Sequence, residues 1–157
     1  MAETLGSLVD KLSIKNLRIW HLDEMIEAGD ESDSKLTELK AKRDLTKKQS
    51  QELENEINGF LELALQGKVK IRDEKLKLYT NLNVKNSDGI DGLGKAIHEL
   101  TLRNLRLWHL EDEVRRTDIS DSQVAACKRK IDASNQERND LIDKVDEILE
   151  LKARRKK

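Results

Sequence analysis

Two short stretches concentrate the side chains able to do chemistry. Ser13 to Leu22 reads Ser-Ile-Lys-Asn-Leu-Arg-Ile-Trp-His-Leu, and Thr101 to Leu110 reads Thr-Leu-Arg-Asn-Leu-Arg-Leu-Trp-His-Leu, 88 residues later. Six of the ten positions are identical and the rest are conservative pairs. Each copy brings two cations, an amide, an indole and an imidazole: Lys15, Asn16, Arg18, Trp20 and His21, then Arg103, Asn104, Arg106, Trp108 and His109. Cations give charge-assisted hydrogen bonds to an anion, indoles give stacking planes, and a helical asparagine is costly to bury without a hydrogen-bonding task. Together the ten residues suit a small anionic, nucleotide-like ligand. Competing uses are structural: tryptophan as core filler, asparagine as glue between the two copies, and cations paired to Asp23, Glu24, Glu111 or Asp112.

Other chemistry finds less in the chain. His21 with Glu24 and His109 with Asp112 have the i,i+3 spacing of bundle metal sites. Di-iron bundles, however, place Glu before His and need further carboxylates on the other two helices. No metal or other cofactor is expected. There is no phosphate-cradling Gly-rich loop, no Gly-x-Ser-x-Gly and no paired Cys motif, so no enzymatic activity is expected either.

The repeat extends well beyond its core. Leu5-Gly6 aligns with Leu93-Gly94, Ser32-Asp33-Ser34 with Ser120-Asp121-Ser122, and Leu53, Ile57, Phe60 and Leu61 with Leu141, Val145, Ile148 and Leu149. The chain is therefore a tandem duplication within one domain, about 5–66 and 93–154, separated by an insert and linker over 67–92. Charged residues at 39%, aromatics at 3% and no proline point to long helices. Apolar spacing predicts a helix over about 7–28, a longer one over 33–66 stopped by Gly67, a third over 95–116, and a fourth from Ser120, which has capping-box spacing with Gln123. The segment Lys68 to Ile71 alternates like a strand and Arg72 to Tyr79 reads equally as a helical turn, so the insert is left unassigned. The expected fold is all-α: two helical hairpins in a pseudo-twofold four-helix bundle, the first helix of each hairpin innermost.

A net charge of −1 speaks against nucleic acid and acidic membrane surfaces as partners. The single Cys127 suits a reducing compartment, and no apolar run approaches the ~20 residues of a membrane span, which points to the cytoplasm. Because the second helix overhangs the first, Leu53, Ile57, Phe60 and Leu61 need cover, and a homodimer would supply it.

The stretch Leu5 to Leu22, with Lys75 to Tyr79 and the second Trp-His copy, resembles a family of small uncharacterised helical proteins of bacteria and their phages. The resemblance implies an all-helical intracellular protein and, for a phage member, an accessory role such as sequestering a host defence signal. It carries no chemistry with it. The alternatives to a ligand-capturing module are a structural or protein-interaction bundle acting through its long helices, and a metal-dependent bundle enzyme.

Overall fold

The computed structural model describes residues 3–73, 76, 78 and 80–156. It is all-α: α1 (Leu5–Ala28), α2 (Asp33–Leu65), α3 (Leu93–Val114) and α4 (Asp121–Arg154). Helix ends follow local chemistry. Thr4 caps α1 by accepting from the Ser7 N–H while the Ser7 hydroxyl accepts from the Thr4 N–H, which starts the helix two residues before its predicted position. Gly29, at φ 69°, ends it in the left-handed region that glycine occupies without strain. Ser32 caps α2 and Ser120 caps α4, the latter in the reciprocal box with Gln123 that the spacing predicts.

Helices α1 and α2 form one hairpin and α3 and α4 the other, and the hairpins pack as a four-helix bundle. The twofold relation between them is approximate: α1 packs on α4 as well as α3, while α3 has no comparable packing on α2. Helix α1, expected to be inner, packs on all three other helices, yet α4 buries the most residues. Helix α4 buries ten residues against four for α1, five for α2 and six for α3, because α4 is covered by two helices and by the insert.

The main core lies where the starts of α1 and α3 meet the ends of α2 and α4. Leu5, Ala96, Leu100, Leu141, Ile142, Val145, Ile148 and Leu149 are buried there, with Ile57, Phe60 and Leu61 packed against them. The cover those α2 residues require thus comes from within the chain. Each fully buried aliphatic side chain there contributes about 1.5–3 kcal/mol.

The insert is a strap along α4. Ile71 and Ile90 pack on the core, and Arg72 makes two hydrogen bonds to the Asp143 carboxylate at 3.0 and 2.8 Å. The Asn81 N–H donates to Gln136 and the Lys85 N–H to Glu137 at 2.9 Å. Among the described residues the strap has neither helix nor strand; Lys75, Lys77 and Tyr79, part of the stretch left open above, lie outside them. Among the described residues, no helix is long and apolar enough to cross a membrane.

Candidate functional site

Within each hairpin the first repeat cation reaches the second helix at the same place. Lys15 Nζ donates to Gln49 Oε1 at 2.6 Å, and 88 residues later Arg103 pairs with Glu137. The electrostatic outcome differs. Glu137 is a buried carboxylate and Glu99 lies 3.6 Å from the Arg103 fork, so that guanidinium is charge-paired with two carboxylates. Hydrogen bonding from Lys95, with Lys85 and Arg103 nearby, holds the Glu99 carboxyl below its ordinary range. Gln49 is neutral and leaves the Lys15 charge uncompensated.

The asparagines divide as well. Asn104 is buried and its amide donates to Asp10 at 2.9 Å and Ser13 at 3.3 Å, tying α3 to α1; Arg138 approaches the same Asp10 carboxylate at 3.5 Å. Asn16 is exposed and accepts from Ser50, tying α1 to α2 instead.

His21 and Trp108 join the copies. Their rings stack with centroids 4.2 Å apart and planes at 9°. His21 Nδ1 lies 3.3 Å from Glu24, whereas His21 Nε2 and Trp108 Nε1 are buried without a hydrogen-bond partner. Trp20 is 54% exposed and meets His21 edge-on, and His109 is exposed. Glu111 and Asp112 pair with Arg115, and Asp23 with Arg43, so none of the four proposed carboxylate partners takes a repeat cation.

The His21–Trp108 wall closes one side of a cleft of about 510 Å³ between α1, α2 and α3. Lys15, Arg18 and Lys42 supply three positive charges, Thr46 and Gln49 hydrogen-bonding groups, and Leu22, Met25 and Leu45 an apolar floor. Among the described residues no carboxylate lines it. Lys42 pairs with Glu38 away from the cleft, while Lys15 and Arg18 make no ion pair among the described residues. On the other side of Trp108 a cleft of about 350 Å³ between α1, α3 and α4 mixes Arg18, Arg115 and Arg138 with Glu111 and Asp112, so its charges largely cancel.

The structure therefore brings Lys15, Arg18, His21 and Trp108 to one cleft, uses Arg103 and Asn104 in packing, and leaves Asn16, Trp20 and His109 at the surface. Arg106 lies on another face, between α3, α4 and the strap. Lys42, Thr46 and Gln49 escaped the sequence reading because they sit in the charged middle of the long helix. The 88-residue offset marks them even so: Lys42 aligns with Lys130, and Gln49 with Glu137. Among the described residues no three His, Cys, Asp or Glu side chains gather as a metal site.

These features define a tandem-hairpin helical bundle with a cationic, aromatic-walled cleft at the junction of its two copies. A family model covers residues 1–72 and 94–157, and the chain belongs to that family, described as protein of unknown function (DUF4254). The strap from residue 73 onward falls in the unmatched stretch, while Ile71 and Arg72 are matched. No curated protein and no solved structure matches the chain.

Proposed function

We propose that this protein is a non-enzymatic binding module that captures a small anion bearing a flat ring, a nucleotide-like ligand, in the cleft between α1, α2 and α3. One observation carries the reading: three cations and an aromatic wall line a cleft to which no carboxylate among the described residues contributes. Lys15 and Arg18, cations with no ion pair among the described residues, raise the local concentration of anions, and charge-assisted bonds then hold them. The apolar floor of Leu22, Met25 and Leu45 accepts a ring, and Thr46 and Gln49 offer hydrogen bonds to ring-edge atoms. Capture without turnover in a host cytoplasm suits a phage accessory protein that removes a host defence signal.

The test is calorimetric titration of the full chain with adenosine diphosphate. Lys15→Ala with Arg18→Ala removes two charge-assisted partners and weakens binding at least about tenfold while leaving the melting temperature near wild type. Absence of binding heat across a panel of mono- and dinucleotides sinks the reading. A second reading, a docking bundle that self-associates through α2, is supported by Leu45 and Leu63, exposed at 57% and 41% on that helix. Light scattering at tens of micromolar reads it directly.

A further inference from the structure

The geometry points to a second anion site, repeat-related to the first, in the groove between α3, α4 and the strap. This groove, of about 600 Å³, is lined by Arg106, Lys130, Ala133 and Glu137. Under the 88-residue offset those four positions are Arg18, Lys42, Leu45 and Gln49, which line the first cleft. The duplication thus copied a groove as well as a fold, and the two differ in what closes them. Trp108 walls the first, and Asn81, Leu82 and Asn83 of the strap wall the second.

Its charge favours an anion. Arg106, Arg129 and Lys130 line the groove and make no ion pair among the described residues. Glu137 does not cancel them, because Arg103 and the Lys85 N–H already occupy its oxygens. Among the described residues Asp132 is the one carboxylate left to oppose three cations, and it is exposed. The strap makes the groove a walled site rather than a solvated basic face: the Asn81 amide donates to the Asp132 carbonyl at 3.1 Å and its N–H to Gln136, fixing the wall over the cations.

The ligand class follows from the substitutions between copies. Ala133 in place of Leu45 removes apolar floor, and among the described residues no aromatic ring lines this groove. It takes the same charged head as the first cleft, a phosphate or pyrophosphate, without the ring. The inference rests on the first-cleft reading for that head group alone, and its own cations carry it otherwise.

The decisive experiment is an amide-resolved NMR titration of the full chain with inorganic pyrophosphate. Shifts are expected around Asn83, Ala126 and Arg129, separately from any around Lys42 and Gln49. Arg106→Gln with Arg129→Gln, both exposed side chains, weakens the first set at least about tenfold and leaves the second unchanged. Pyrophosphate shifts confined to the first cleft overturn the second site while sparing the proposed function. Shifts confined to the second groove do the reverse. Shifts at Ala126 and Arg129 with undiminished affinity in the double variant also overturn the inference.

Discussion

The two hairpins are copies in sequence and unequal in the structure. Gly6 and Gly94 occupy the same repeat position, yet a Cβ on Gly6 would stand 2.2 Å from the Ile142 carbonyl oxygen, whereas one on Gly94 meets nothing within 4 Å. Gly6 donates its N–H to the buried Asp146 carboxylate at 2.7 Å; the counterpart of Asp146 is exposed Asn58. Asn104 is buried and Asn16 exposed, and Arg103 meets a carboxylate where Lys15 meets an amide. Substitutions between the copies set the Glu137–Gln49 and Asp146–Asn58 differences, and packing sets the burial. Helix α1 is set against α4 as well as α3, and α2 has no such second neighbour. The second hairpin supplies most of the core, and its Arg103, Glu137 and Asp146 are spent on holding it; in the first, Lys15 meets only a neutral amide beside a cleft.

The sharpest break of that comparison is between the two repeat cations. Arg103→Ala strands the buried Glu137 carboxylate and should lower stability by about 3–5 kcal/mol. Lys15→Ala removes a bond to a neutral, half-buried amide and should cost under about 1 kcal/mol, its effect appearing in ligand affinity instead. Urea unfolding midpoints of the two variants check this, and equal losses would abolish the division between a structural and a binding copy.

Next comes the glycine pair. Gly6→Ala forces α1 from the Ile142 backbone and loosens the bond to Asp146, an expected loss of about 3 kcal/mol. Gly94→Ala lies in open space on a helix and should be neutral or stabilise by up to about 1 kcal/mol. Thermal melts of both variants suffice, and a costly Gly94→Ala would mean that α3 has a close neighbour after all.

What the sequence made legible was whatever depends on near neighbours in the chain. Ser120 caps α4 through Gln123, three positions on, as its spacing predicts, and the duplication announces two hairpins. The setting of one hairpin on the other is a different matter. It decides that Asn104 finds Asp10, that His21 rather than His109 finds a tryptophan face, and that Arg18 and Arg106 lie in separate grooves. Identical repeat residues give no local hint of which copy will be inside. The strap was equally opaque, since Ile71, Arg72 and Ile90 acquire their roles only against α4, through no periodicity of their own.

The smallest expected effect concerns acid, and it separates Glu99 from its counterpart position, Lys11, whose partner is Glu3. The Glu99 carboxyl is held below its ordinary value of 4.5, chiefly by the Lys95 hydrogen bond at 2.7 Å, with Lys85 and Arg103 adding attraction. A carboxyl with a folded pKa below its unfolded one binds fewer protons folded than unfolded, so its stabilisation is complete above the unfolded value and is lost as pH falls through the folded one. Glu3 is shifted the same way by Lys11, but both side chains are largely exposed, so salt screens that pair. Glu99→Gln should therefore be less stable than wild type near pH 7 and converge with it below about pH 4 in either low or moderate salt. Glu3→Gln should differ little from wild type, and in low salt only. Urea midpoints followed from about pH 7 to about pH 3 at two salt concentrations test this. A Glu99→Gln offset that stays constant down the whole acid range would assign Glu99 a packing role in the second hairpin and remove its charge from the comparison.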